Sequence, residues 1–471
     1  MDRRPSQPAA PGPRFQGRHD ARSLALQGLL DCARHDAFVQ EVLDRLFTRF
    51  PLPSADRRLT ATLVYGVLRR RGTLAALLRP LLSRRPDQVE PWLWETLLLG
   101  GCQLVLLDQV PVHAALHETV ELAARFGRAS AKGFVNGVLR SLARLVTADR
   151  TDAPAADAVP LEGGRYRRLT RPVLPQPESR PVEYLAAGFG LPEWLARRWA
   201  DRYPIDECRR LGFWFAGPAP LTLRVNRLRT TRDAYLSALS AAGVAAEAGT
   251  QPEAVRLREP ANVRELPGYL DGWFSVQDES AMAVAAMLDP APGWRVLDLC
   301  AAPGGKATHL AELMDDQGEV VACDADADRL ATVTDAAARL GLKSIRTVTV
   351  GPGPGERLPP GPFDAALADV PCSNTGVLGR RPEARWRLRP ADLPHLTELQ
   401  TRLLSAAVAA VRPGGVVVYS TCSIEPEENA TVVRRVLGEH GGLRLEAEEE
   451  SVPGKPADGG YRARLRREVL A

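Results

Sequence analysis

The chain has 471 residues, 45% of them hydrophobic and 25% charged, a balance that suits a globular protein of roughly two to four domains. A formal net charge of +4 excludes a global polycation, and seven scattered cysteines with no C-x-x-C argue against a disulfide framework or a structural zinc site. The N-terminus lacks the apolar core of a signal peptide, and no run reaches the ~18 apolar residues of a membrane helix, so a reducing cytoplasm is the expected home.

Residues 1–20 read as a flexible basic tail with prolines and arginines. From 21 to 147 the pattern is helical. Asp56 is a plausible N-cap, after which Leu59, Leu63, Val64, Val67 and Leu68 recur at helical spacing. "WLWETLLLGGCQLVLL" (92–107) is apolar nearly all round, as the centre of a bundle would be. "VHAALHETVELAARFG" and "KGFVNGVLRSLARL" complete an all-α unit. Residues 148–182 are proline-rich with little apolar pattern and read as a linker, mobile in part. Residues 183–279 mix short helices with strand-like "PLTLRVN" and "AVRLREP", predicting a small α+β domain.

From 280 to 471 strand and helix take turns: "WRVLDLC", "KATHLAELM", "EVVACD", "ADRLATVTDAAARLG", "FDAALADV", "LPHLTELQTRLLSAAVAAV", "GGVVVYSTC". This alternation predicts a mostly parallel sheet of the Rossmann-like kind, with helices on both faces and ligands beyond the carboxyl ends of its strands. The first such loop is "LDLCAAPGGKATHL" (297–310). Ala301, Ala302, Pro303, Gly304 and Gly305 keep side chains small where backbone must approach a ligand, and the helix that follows offers free N–H groups. Asp298 could meet a cationic centre, and Asp324, ending the second strand, could grip ribose hydroxyls. The loop is neither G-x-G-x-x-G nor a P-loop, and its shape suits a nucleoside with an amino-acid tail, S-adenosylmethionine. Only four lysines stand among the 61 basic residues, so Lys306 in this loop is a residue that arginine could not easily replace.

Two thiols follow later strands, Cys372 in "DVPCSN" and Cys422 in "YSTCSI". In a parallel sheet both would open on the rim that holds the 297–310 loop. Such a pair has a chemical use. Carbon 5 of a pyrimidine becomes nucleophilic once a thiolate has added to carbon 6. A carboxylic acid near N3 balances the developing charge, and a base then removes the C5 proton. Asp369, Cys372 and Cys422 supply such a set. Cys32, Cys102, Cys208 and Cys323 read as packing residues, and Cys300 as packed behind the loop.

"LDLCAAPGGKATHL", "DVPCSNTGVLGRRPEARW" and "YSTCSIEPEENATVV", in this order, closely resemble the motifs of the RNA (cytosine-5)-methyltransferases with two motif cysteines. "VPVHAALHETVELAARFG" and "GFVNGVLRSLA" resemble the NusB antiterminator fold, so the whole is similar to the RsmB or Sun type of bacterial 16S rRNA methyltransferase. The resemblance implies that Cys422 is the nucleophile, Cys372 assists product release and Asp369 contacts the target base. It also implies that Asp298, Cys300, residues 301–306, Asp324, Arg329 and Asp369 surround S-adenosylmethionine. The substrate would be a cytosine of 16S rRNA, met before 30S assembly is complete, by a monomer using no metal and no membrane. The chain departs from the pattern at Val370, usually alanine, and at Pro352, where an aspartate is usual and Glu356 is the nearest carboxylate.

"GRRPEARWRLRP" (379–390) sets Arg380, Arg381, Arg385, Arg387 and Arg389 around Trp386, a composition suited to phosphates and unstacked bases. The basic tail and the "RRR" at 69–71 would add non-specific attraction. Two other readings share these residues. One is a catalytically weak RNA-binding or ribosome-assembly factor, and the other a cytosine-5 methyltransferase acting on tRNA or another rRNA site.

Overall fold

The computed structural model describes residues 19–34, 37–83, 85–351 and 358–469. The chain divides into two units. One holds the residues up to Pro218 together with Leu378–Arg387, and the other holds Ala219–Val377 together with Leu388 onward.

In the first unit six helices form the bundle: α1 (Ala21–Arg34), α2 (Val39–Arg49), α3 (Ser54–Leu78), α4 (Pro91–Leu106), α5 (Val112–Phe126) and α6 (Ala131–Leu145). The apolar helix α4 is the centre, with Leu97, Leu98, Leu99, Cys102 and Val105 all fully buried. At Gly100 a Cβ would stand 2.5 Å from Leu139 of α6, so this close helix crossing needs glycine. Helix α3 starts two residues before the expected cap. Pro53 precedes it, and Asp56 lies in the first turn, where its charge meets the helix's positive end.

The stretch expected as a linker is folded. It forms a three-stranded antiparallel sheet of order β1-β3-β2 from β1 (Val146–Thr151), β2 (Ala158–Pro160) and β3 (Tyr166–Leu169), with Ala158, Val159 and Tyr166 buried. Proline did not forbid this, because Pro160 ends the edge strand β2, where a missing N–H breaks no interior ladder. Helices α7 (Pro181–Phe189), α8 (Glu193–Ala200) and α9 (Ile205–Ala216) belong to this unit as well, which runs to Pro218.

The second unit opens with a four-stranded antiparallel sheet of β4 (Thr222–Val225), β5 (Ala246–Ala248), β6 (Ala254–Leu257) and β7 (Phe274–Val276), in the order β5-β6-β4-β7, with α10 (Arg232–Ala241) packed on it. After α11 (Glu279–Leu288) comes the large sheet: β8 (Arg295–Asp298), β9 (Glu319–Asp324), β10 (Ile345–Thr349), β11 (Phe363–Asp369), β12 (Val411–Thr421), β13 (Leu443–Ser451) and β14 (Gly460–Arg467). Its order is β10-β9-β8-β11-β12-β14-β13; the first five strands are parallel, and β14 and β13 are antiparallel. Helices α12 (Gly305–Leu313) and α13 (Ala327–Leu340) cover one face with α11, and α15 (Asp392–Ala410) and α16 (Ala430–Glu439) the other. The short α14 (Ala384–Arg387) lies in the chain excursion to the first unit.

Both faces are apolar, as a sheet covered on both sides requires. Val296, Val320, Ala365, Leu367 and Val418 face one core, while Leu297, Val321, Ala366, Ala368 and Tyr419 face the other. The order of strands reverses between β8 and β11, which opens a crevice at their carboxyl ends. Arg224 of the small sheet is fully buried and clasps Glu312 of α12 through contacts of 2.7 and 3.1 Å, while its third nitrogen, Nη1, donates to the Gly305 carbonyl at 2.7 Å. The small domain thereby braces the first turn of α12.

Candidate active site

Strand β8 ends on Asp298, whose carboxylate is buried and has no hydrogen-bond partner on either oxygen. Burial, then the neighbouring Asp369, push its pKa up to about 8, with Lys306 opposing. The loop then turns through Gly304, which has φ +103°, a conformation that favours glycine, and where a Cβ would lie 3.0 Å from the Val333 backbone. Helix α12 starts at once, with its free N–H groups at the crevice. Ala301 and Ala302 are buried, Pro303 is exposed and Cys300 is half-buried, its pKa driven up by burial.

Asp324 ends β9. Its oxygens accept from the backbone N–H of Ala302 at 3.2 Å and of Asp326 at 3.1 Å, with the Arg329 guanidinium 3.7 Å away. Arg329 also donates to the Ala302 carbonyl at 3.0 Å, tying the first loop to the second. An unpartnered buried carboxylate, a small-residue turn before a helix and a second strand-end carboxylate fit a nucleoside with a cationic amino-acid tail. Pro352 and Glu356 lie outside the described residues.

The thiols come together at the ends of the adjacent parallel strands β11 and β12. Cys372 Sγ and Cys422 Sγ are 3.1 Å apart, and Cys422 Sγ also donates to Asn374 Oδ1 at 3.2 Å. The hydrogen bond to Cys422, with burial next, raises the Cys372 pKa well above that of an ordinary thiol. Lys306 turns toward this group. Its Nζ donates to Asp369 Oδ2 at 2.7 Å, and Ser420 Oγ donates to Asp369 Oδ1 at 2.6 Å. Burial would lower the Lys306 pKa, but the charge and hydrogen bond of Asp369, with Cys422 and Asp298 adding, leave it raised. The attraction is mutual, so the ammonium is placed to offset negative charge that develops at Cys422. The geometry thus collects Cys422, Cys372, Asp369 and Lys306 around one spot beside the crevice. Lys306, expected with the cofactor, belongs equally to the thiol group.

Cys32, Cys102, Cys208 and Cys323 are buried, as expected of packing residues. The arginine-rich segment is another matter. Arg385 is fully buried, and its guanidinium donates to the carbonyls of Arg69 at 2.7 Å, Phe215 at 3.0 Å and Leu378 at 3.2 Å. Trp386 Nε1 donates to the Leu68 carbonyl at 2.8 Å, and Arg387 to the Ala37 carbonyl at 2.7 Å. These three were expected on RNA and instead fasten Leu378–Arg387 into the first unit. A charged residue in the interior satisfies carbonyls that loops and helix ends leave open, a use that composition cannot tell from phosphate binding. Arg380 is half-buried, and Arg381 lies over the Phe38 ring at 4.2 Å. The "RRR" run is likewise structural. Arg70 donates to the carbonyls of Pro160 and Gly188, Arg71 pairs with Glu95, and Arg69 donates to the Gly379 carbonyl.

The sequence reading missed Glu428, Ser373, Ser423, Asn374 and Gln400, which pack around the thiols. The signal available was the recurrence of C-S in both motifs, a serine after each cysteine.

Residues 285–461 match a family model described as 16S rRNA methyltransferase RsmB/F, residues 19–144 the NusB family, and residues 191–264 the ferredoxin-like domain of RsmF/B-like methyltransferases. A Synechocystis protein named "Probable ribosomal RNA small subunit methyltransferase B" is 36% identical over 439 residues, covering 92% of each chain. The Salmonella paratyphi B "Ribosomal RNA small subunit methyltransferase B" is 36% identical, covering 89% of this chain and 90% of its own. Among solved structures, PH0851 shares the fold over 96% of this chain and 100% of its own, at TM-score 0.76 and 23% identity. A methyltransferase homolog from Pyrococcus horikoshii is 26% identical, with TM-score 0.53, covering 62% of this chain and 100% of its own.

Proposed function

Because the chain belongs to the RsmB/F family of 16S rRNA methyltransferases, we propose that it methylates carbon 5 of a cytosine in that RNA through a covalent Cys422 adduct. The observation that carries this reading is the pair of thiols 3.1 Å apart beside the Lys306–Asp369 ion pair, at the mouth of a methyltransferase crevice. S-adenosylmethionine, when bound, supplies an electrophilic methyl group. Asp298 would face its cationic amino-acid end, Asp324 its ribose, and residues 301–305 with Arg329 would line the remainder.

The protein's own groups do the rest. The Cys422 thiolate, favoured by Lys306, adds to carbon 6 of the cytosine, and the displaced electron pair makes carbon 5 nucleophilic. Asp369 balances charge on the N3 side of the ring. After carbon 5 has gained its methyl group, a base takes the C5 proton. The C5–C6 double bond re-forms and the Cys422–C6 bond breaks, with Cys372 assisting this last step. The raised pKa of Cys372 supports this division, since a thiol that holds its proton is a poor first nucleophile. A cytosine within folded RNA has to be unstacked first, which suits a cytoplasmic monomer working before 30S assembly closes over the target.

The two alanine variants test the order. Cys422→Ala is expected to form no adduct and to lose methyl transfer. Cys372→Ala is expected to attack and methylate, then stall as protein linked to RNA, visible on a denaturing gel. An adduct from Cys422→Ala with none from Cys372→Ala would reverse the roles, and two variants with near wild-type turnover and no adduct would end the mechanism.

A further inference from the structure

Glu428 is fully buried, and its carboxylate is filled by neutral donors from both cysteine loops. Oε1 accepts from the Ser373 backbone N–H and from Gln400 Nε2, each at 2.9 Å. Oε2 accepts from the hydroxyls of Ser373 and Ser423. About four donors are what a carboxylate can take, so none of its capacity is left over. Ser373 follows Cys372 and Ser423 follows Cys422, so the two residues that touch Glu428 Oε2 are the chain neighbours of the two thiols. Gln400 also donates to the carbonyl of Pro371, the residue before Cys372, at 2.9 Å. Around this knot the loops join directly. The Ser373 and Ser423 hydroxyls are 3.0 Å apart, and the Gly376 N–H donates to the Cys422 carbonyl at 2.9 Å.

We propose that Glu428 is a positioning residue whose buried carboxylate, held by donors from both loops, sets the spacing of Cys372 and Cys422 and so governs release of the methylated base. This rests on the adduct chemistry proposed above. Lys306 and Asp369 reach the thiols from the strand ends, whereas Glu428 holds the backbone on which the thiols are mounted. Its charge adds to the hydrogen bond and burial that keep Cys372 protonated. A carboxamide at 428 removes the charge and must donate its N–H groups to the Ser373 and Ser423 hydroxyls, which then have to turn round and accept, so both hydroxyl bonds reverse.

The test uses the full chain in four forms, wild type, Cys372→Ala, Glu428→Gln and Ser373→Ala, with a 16S rRNA transcript and labelled S-adenosylmethionine. Expected for Glu428→Gln are cofactor affinity within about twofold of wild type, product release slowed roughly tenfold and an accumulating RNA adduct. Ser373→Ala, which leaves Glu428 three donors, should show the same pattern at roughly threefold. A variant that binds cofactor and releases product at the wild-type rate without extra adduct overturns the inference; if Glu428→Gln does not fold, Ser373→Ala decides. Alkylation of Cys422 by iodoacetamide without RNA, followed by peptide mass, separates this result from the chemistry above. If Cys372→Ala forms no adduct, the adduct reading fails, but Glu428→Gln and Ser373→Ala still have to change the alkylation rate of Cys422 by about threefold. Unchanged alkylation there would remove Glu428 from the control of the thiols.

Discussion

The contact proposed between Asp298 and the cofactor's cationic end would make cofactor binding a proton-release event. With a pKa of about 8 and neither oxygen partnered, it is about nine-tenths protonated at pH 7 in the free protein. A cationic amino-acid tail placed against it requires the ionised form. S-adenosylmethionine binding at pH 7 should therefore release about 0.9 proton per site, and the dissociation constant should fall about tenfold from pH 6 to pH 7. That window lies below the titration of the ligand's own amine, near ~7.7. Calorimetry in buffers of differing ionisation heat measures the released proton directly, and Asp298→Asn should abolish both the release and the pH slope. The same shift fixes the sign for stability. The folded pKa lies above the ordinary carboxyl value of 3.8, so the group's contribution is present at low pH and is lost as pH rises toward about 8. The cofactor-free protein should lose stability across that range, and Asp298→Asn should flatten the loss. Wild-type binding with no proton release, or release that survives Asp298→Asn, would refute the assignment of Asp298 to the cation.

Asp324→Ala should weaken S-adenosylmethionine binding about tenfold or more, because a ribose hydroxyl pair and the Ala302 N–H would lose their acceptor; an unchanged dissociation constant in titration calorimetry would misplace the cofactor. Arg224→Met strands the buried carboxylate of Glu312 and frees the Gly305 carbonyl, so it should cost on the order of 3–5 kcal/mol in denaturant unfolding. Arg385→Met should lower stability by a similar order while leaving the salt dependence of RNA binding unchanged, which filter binding at several ionic strengths would check.

The sheet was legible because parallel strands buried on both faces are written as apolar runs, and β8, β9, β11 and β12 all read so. The final hairpin was not read. Its strands β13 and β14 alternate Leu443, Leu445 and Ala447 with Ala463 and Leu465, but Glu446 and Glu449 stand opposite Arg462, Arg464 and Arg466, and that cross-strand charge ladder looks like solvated surface until paired. Strand-end logic set the two thiols on one rim, and the family resemblance supplied their expected roles. The residues that aim them were not, since Glu428 acts through four contacts, and three of these come from residues distant in sequence or in another loop. The arginine-rich segment misled for the reverse reason: its spacing suits phosphate, while its real acceptors are main-chain carbonyls that no local pattern reveals.

The excursion Leu378–Arg387 has a consequence for the order of biosynthesis. A chain made from its N-terminus has all of the first bundle available once Pro218 has emerged, yet the carbonyls of Arg69, Leu68 and Phe215 have no Arg385 or Trp386 to meet. They wait while β8 to β11, the cofactor loop and Cys372 are synthesised. The helical unit therefore gains these hydrogen bonds only after Cys372 has been made, and a gene segment carrying it would leave those carbonyls without these donors unless the ten residues Leu378–Arg387 came with it.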